Sequence, residues 1–239
     1  NSERLSGIAS FIGLNILLLF FIITFNYEQF VELPKATANQ LAEETHERVG
    51  AVIGSIVMAI VVIMFYFKGS FNFDKKAKFL KILAQIWVFL NAILVISAML
   101  KNTEYVYYLG LTYKRLGVYA FLSLAIIGLI FTFVKIQKQK TNAYLFNQMF
   151  WYVYGTILVC SFINWGGIIT SHNLKREDFA ANYHFNSVDF NDKQLLEYYQ
   201  KTNNKEMYKI LKDKIIARQN ESFLSKVLYD ESISFNESK

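Results

Sequence analysis

Apolar residues occupy the first 170 or so positions of this chain in long unbroken blocks separated by short polar segments, with no alternating pattern of the kind strands require. The blocks at residues 5–25, 49–67, 79–100, 116–134 and 144–170 each approach or exceed the ~20 residues that a helix needs to cross hydrocarbon. A segment in lipid has to satisfy its own amides, so helices are the expected form and a barrel is excluded by the missing alternation. The fifth block carries Asn147, Gln148, Thr156, Ser161, Asn164 and the pair Gly166 and Gly167. It is expected to tilt or to break near the glycines. The pattern then changes. From residue 172 the apolar positions are sparse and helically spaced: Leu195, Leu196 and Tyr199; then Met207, Ile210, Leu211 and Ile215; then Phe223, Leu224, Val227 and Leu228. Asn203 or Asn204, and Asn220, are the expected caps of the second and third of these helices.

The reading is an all-α chain, a polytopic transmembrane bundle over residues 1–171 followed by a small helical tail over residues 172–239. A tail with so little apolar surface is expected to lean on the bundle or on a partner. Composition agrees. Hydrophobic residues make up 54% of the 239 and charged residues 18%, too apolar for an ordinary soluble domain. One cysteine, Cys160, leaves no disulfide framework and no cysteine-ligated metal site. The chain begins at Asn1 without a methionine and is expected to be a fragment of a longer one.

The net charge of +6 resides in the first 171 residues, since the tail holds eleven basic and eleven acidic side chains. Spread over loops that flank spans, this charge reports topology and not nucleic-acid binding. Lys68, Lys75, Lys76 and Lys78, and then Lys135, Lys138 and Lys140, place two loops in the cytoplasm, and parity places the tail outside.

Four groups of residues invite a chemical reading. Gly50 and Gly54, spaced for close helix approach, are expected to pack against a neighbouring span of the same chain. Asn147, Tyr154, Ser161 and Asn164 make a stripe on the fifth span, joined by Asn91 on the third; the stripe reads as interhelical hydrogen bonding or as the lining of a solute path. Acidic residues around His46 read as a solvated start to the second span, not as a metal site. Finally, Gly110, Leu111, Thr112 and Arg115 lie between the third and fourth spans, where Arg115 could pair with Glu104 or with a lipid phosphate. No catalytic residue, metal ligand or cofactor site is identified.

Several phrases together carry a resemblance: Glu32-Leu33-Pro34; Glu44 to Gly50; Trp87 to Asn91; Tyr105 to Thr112 with Arg115; Thr141 to Asn147; and Asn164 with Asn173 and Leu174. Over about residues 30–200 the chain resembles the polytopic bacterial inner-membrane proteins known as domain of unknown function 4173. That resemblance implies additional N-terminal spans, a helical segment after the last span, and no activity that could be carried over. The expected role is a non-enzymatic membrane subunit whose tail docks a membrane or extracytoplasmic protein. A solute-permeating bundle is the alternative.

Overall fold

The computed structural model describes residues 2–31, 38–67, 70–221 and 227–235; within these, side chains are described outside 2, 28–31, 38–48, 70, 71 and 75. The acidic side chains around His46, Lys68, Lys75 and the Glu32-Leu33-Pro34 phrase therefore lie outside the described residues. Everything described is helix, turn or connecting chain, with no strand among the described residues. The order is α1 (Ser2–Val31), α2 (Ala38–Tyr66), α3 (Ser70–Phe73), a 3-10 turn (Lys75–Ala77), α4 (Lys78–Leu109), α5 (Tyr113–Gln137), α6 (Asn142–Ser161), α7 (Trp165–Asn173), α8 (Ala181–Ser187), α9 (Asp192–Lys201), α10 (Lys205–Gln219) and α11 (Leu228–Glu231).

Among the described residues, four helices are long and apolar enough to cross a membrane: Glu3–Tyr27, Val49–Tyr66, Lys78–Leu109 and Tyr113–Gln137. A fifth crossing is reached only if α6 and α7, separated by a break at residues 162–164, count as one span. The expected break is thus present, and it lies just before Gly166, where Asn164 starts a new helix by accepting the Gly167 N–H at 2.9 Å.

The chain divides into two compact units. One comprises residues 1–109 and 114–161, the other residues 110–113 and 162–239. The second unit begins ten residues before the change in composition at 172, because the apolar stretch from Phe162 onward folds with the tail. It also takes in the tetrapeptide between α4 and α5.

In the first unit α4 is the central helix, with α1 and α2 packed on it. Phe11, Leu18, Ile22 and Phe25 of α1 recur on one helical face, as do Val52, Ile56, Ala59 and Ile63 of α2, and both faces close over Leu80, Ala84, Leu94, Val95 and Ala98. Leu122, Ala125, Leu129 and Ile136 of α5 complete the core. The end of α2 is tied down by side chains from elsewhere. The Lys135 ammonium, fully buried, donates to the Phe67 carbonyl at 3.1 Å, and Asn142 donates to the Met64 carbonyl at 3.2 Å. Helix carbonyls at a C-terminus lack intrahelical donors, and a cation there is doubly favourable.

The second unit has its own core. Leu195, Leu196 and Tyr199 of α9 meet Leu211 and Ile215 of α10, with Ile233 beyond α11 closing the cluster. Asn204 caps α10, accepting the Met207 N–H at 3.1 Å, and Asn203 adopts the left-handed conformation that ends α9. Asn220 ends α10; Phe223 and Leu224, which open the third expected stripe, lie outside the described residues. Ile210 departs from its expected stripe and is exposed. One cation holds the C-terminal turn in place: Arg218 donates to Asp192 at 2.7 Å and to Asp230 at 3.0 Å, and the neighbouring Gln219 amide donates to the carbonyls of Asp230 and Ile233.

Both of those aspartates are buried, so deleting their cation leaves two desolvated carboxylates. Arg218→Ala is expected to destabilise the second unit by about 2 kcal/mol, less than the ~3–5 kcal/mol of a fully buried pair because the arginine is partly exposed. Hydrogen exchange in the intact chain checks this: protection across 192–233 should fall while that of α4 is retained, and equal protection in the variant would refute it.

Candidate functional site

The second unit is organised around polar side chains from three elements. Thr170 and Asn173 sit one turn apart on α7, His184 on α8, and Asn191 immediately before α9; all four are buried. The Asn173 amide bonds both backbone groups of Leu111: its Oδ1 accepts the Leu111 N–H at 2.7 Å and its Nδ2 donates to the Leu111 carbonyl at 2.9 Å. That pairing fixes which end of the amide is nitrogen. The same Nδ2 lies 3.1 Å from His184 Nε2, so Nε2 is an acceptor and the neutral imidazole carries its proton on Nδ1. Nδ1 then donates to Thr170 Oγ1 at 2.9 Å. Asn191 Nδ2 also donates to Thr170 Oγ1, and to the His184 carbonyl, both at 2.9 Å. Its side chain is committed to this network, and accordingly makes no cap for α9.

The imidazole is enclosed on its faces as well, stacked on Phe179 at 4.7 Å and met edge-on by Tyr183 at 5.3 Å. Burial holds its pKa below the ordinary 6.5. Gly110 admits the arrangement because its φ of +80° lies in the region that favours glycine, and because a Cβ there would sit 2.8 Å from Asn173 Oδ1. Gly166 admits it from the other side: a Cβ would overlap the Asp189 carbonyl oxygen, which also accepts from Tyr113 Oη at 3.4 Å.

A second polar feature uses other positions of α7. Asn164, Gly167, Ser171, His172 and Lys175, spaced so that they share one face, line a cleft of about 460 Å³ with Ile168 and with Gln194 of α9. Over Gly167 two amide nitrogens converge, since a Cβ there would stand 2.9 Å from Asn164 Nδ2 and 3.0 Å from Gln194 Nε2. No group of three or more His, Cys, Asp or Glu is placed to hold a metal ion among the described residues.

The residues singled out in the sequence take different places. Gly110 and Leu111 belong to the network. Glu104 bonds Lys101 at 2.9 Å, while Arg115 donates to the Leu109 carbonyl at 2.8 Å and lies over the Tyr105 ring at 4.0 Å. Thr112 is half-buried beside them. Asn91 is buried in α4 and donates to the Trp87 carbonyl of its own helix at 2.8 Å. Asn147, Tyr154 and Ser161 are exposed on α6, with Ser161 donating to Leu158, and Asn164 caps α7. The five polar positions are not gathered around one cavity. Gly50 and Gly54 face open space, where a Cβ would meet nothing within 4 Å, and α2 packs instead through Val52, Ile56, Ala59 and Ile63.

His184 and Asn191 escaped the sequence reading because their partners lie in other elements. The one local signal is Thr170 and Asn173, polar on the buried face of an apolar helix.

The network sets a pH dependence. Below the ordinary value of 6.5 the unfolded chain protonates this histidine, whereas the native one stays neutral until its lowered pKa is reached. Stability of the second unit is therefore complete above about 6.5 and declines as pH falls toward the native pKa, then levels off. Protonation also sets an Nε2–H against the Asn173 amide hydrogens. Hydrogen exchange at 110–113 and 165–191, corrected for its intrinsic pH dependence, should lose protection between pH ~7.5 and ~5.5, and His184→Gln should flatten the difference; protection unchanged over that interval would contradict it.

No curated protein and no solved structure matches the chain. One family model does, over residues 1–195, and its description is domain of unknown function (DUF4153). It replaces the expected family number 4173. The matched region runs from α1 through every residue of the buried network and through Gln194, the last residue of the cleft. By that match the chain belongs to the family described as domain of unknown function (DUF4153).

Proposed function

We propose that the protein is a non-enzymatic subunit of a bacterial inner membrane, with a C-terminal helical unit that faces the extracytoplasmic side and docks a protein partner. The observation that carries this reading is the self-contained construction of that unit. It has an apolar core of its own, a buried polar network and an arginine-bridged C-terminal turn. None of these features is needed to hold apolar helices in a bilayer. They keep a charged, helical surface in one shape, which is what a docking module requires. On α10 that surface presents Ile210 and Ile216 among Lys209, Asp213 and Ala217. Exposed aliphatic positions framed by charge are a common form of interface core and rim.

The permeation alternative rests on Asn91, Asn147, Tyr154 and Ser161 sharing a path. Their positions, one within the packed bundle and three on the exposed face of α6, give it no support.

Two measurements test the proposal. With Cys160→Ser as background, Lys205→Cys should be labelled by a membrane-impermeant maleimide in intact spheroplasts. Labelling only after the membrane is opened would reverse the side. A photo-crosslinking residue at Ile210 should give a discrete adduct with a second polypeptide in membranes, and the adduct should disappear when Ile216→Lys is added. Crosslinks to lipid alone, or none, would sink the docking role.

A further inference from the structure

The cleft on α7 is not used by the network and calls for its own account. Its lining carries no carboxylate, and its polar side chains are Asn164 before α7, Ser171, His172 and Lys175 from α7 and the residues just after it, and Gln194 from α9. The neighbouring Arg176 is neutralised by Asp178 at 2.8 Å, whereas neither Lys175 nor His172 has a carboxylate partner among the described residues. An ammonium, an imidazole, a hydroxyl and an amide N–H directed at one space are the donor set that phosphate oxygens accept from. Gln194 strengthens the point. Its Nε2 stands over Gly167, 3.0 Å from where a Cβ there would lie, which puts a donor at the edge of the cleft.

Position narrows the source of such a phosphate. Asn164, the first lining residue, follows the last residue of apolar α6 by three positions, at most about 10 Å of extended chain. Phe162 is 82% exposed and Ile168, in the cleft wall, 46% exposed. Exposed apolar side chains beside cationic donors are the pattern of a surface that rests in the headgroup layer, where phosphates are concentrated.

We propose that this cleft is a binding site for a phosphate ester, with Lys175 as the cationic contact, His172, Ser171 and Gln194 as further hydrogen-bond donors, and the headgroup of an anionic phospholipid as the ligand. The site does not depend on the docking role proposed above, and either can fail without the other.

The test uses the full chain in mild detergent, titrated with dioctanoyl phosphatidylglycerol, dioctanoyl phosphatidylcholine and glycerol 3-phosphate, with bound ligand counted by native mass spectrometry. Phosphatidylglycerol is expected to bind, and Lys175→Ala and His172→Ala are each expected to weaken it by about tenfold or more. Lys175→Arg should restore it. Both positions are exposed, so these variants should fold, and their thermal midpoints verify it; Lys175→Gln serves if Lys175→Ala does not. If glycerol 3-phosphate binds as tightly as the lipid and with the same dependence on Lys175, the site is a phosphate-ester site fed from solution, and the lipid assignment fails. If the variants bind phosphatidylglycerol as the unaltered chain does, or if phosphatidylcholine binds equally well in all of them, the proposal is overturned.

Discussion

A single side-chain amide stands in for a strand partner at the centre of the second unit. Leu111 is buried between two helices, where its N–H and C=O have no intrahelical ladder to join, and Asn173 supplies both bonds. Buried backbone groups left unmet would each cost on the order of 1–3 kcal/mol, so the segment between α4 and α5 could not be buried without such a partner. Asparagine is nearly unique in this use because it offers an acceptor and a donor in one plane. The other requirements follow from that choice. Gly110 has to turn the chain with a positive φ and leave room for Oδ1, and His184 has to be neutral in order to accept the second hydrogen of Nδ2.

The two units place their polar side chains differently. In the bundle many bond back to their own helix, one turn earlier: Asn26 to Ile22, Asn91 to Trp87, Thr132 to Gly128 and Thr156 to Tyr152. Such local bonds remove a polar group's penalty in hydrocarbon without calling on a neighbour. In the second unit the equivalent groups bond across elements, from α7 to α8, from α8 to α7 and from the start of α9 to both. Other bundle contacts join elements, among them Asn15 to the Leu83 carbonyl, Tyr66 to Ser10, Asn102 to the Arg115 carbonyl, Tyr119 to Thr103 and Lys135 to the Phe67 carbonyl. What distinguishes the second unit is that its buried groups bond one another in a single connected network.

This contrast explains what could be read from residues alone. The spans were legible because hydrocarbon imposes a length and a composition that any such helix has to meet, and the helices found lie over the blocks at 5–25, 49–67, 79–100 and 116–134. The stripes Leu195, Leu196, Tyr199 and Leu211, Ile215 were legible as well, from their helical spacing. A stripe of Asn147, Tyr154 and Ser161 looked like a seam because its spacing is helical too, but spacing does not say whether a polar group will bond to its own turn. Gly50 and Gly54 are ambiguous for a related reason: small residues permit close approach without requiring it, and within this chain a Cβ at either would meet nothing within 4 Å. The network was out of reach because Leu111 and Asn173 are 62 positions apart, and nothing in the spacing of either reports the other.

The network also accounts for why the exposed side of α7 can have a defined shape. A nine-residue helix is too short to be stable by itself, and its register has to be set by tertiary bonds. Thr170 and Asn173 provide them on one face, while Gly166 lies too close to the Asp189 carbonyl for the helix to rotate or carry a larger residue there. With that face fixed, Gly167, Ser171, His172 and Lys175 are fixed in azimuth on the other, and Asn164 and Gln194 are brought over Gly167 by the same constraint. A site assembled from exposed side chains loses affinity to the entropy of ordering them, and a backbone already locked beneath them reduces that loss. The buried half of α7 is in this sense the positioning device for its exposed half, so a change at Asn173 or His184, neither of which lines the cleft, is transmitted to it through the orientation of a single helix.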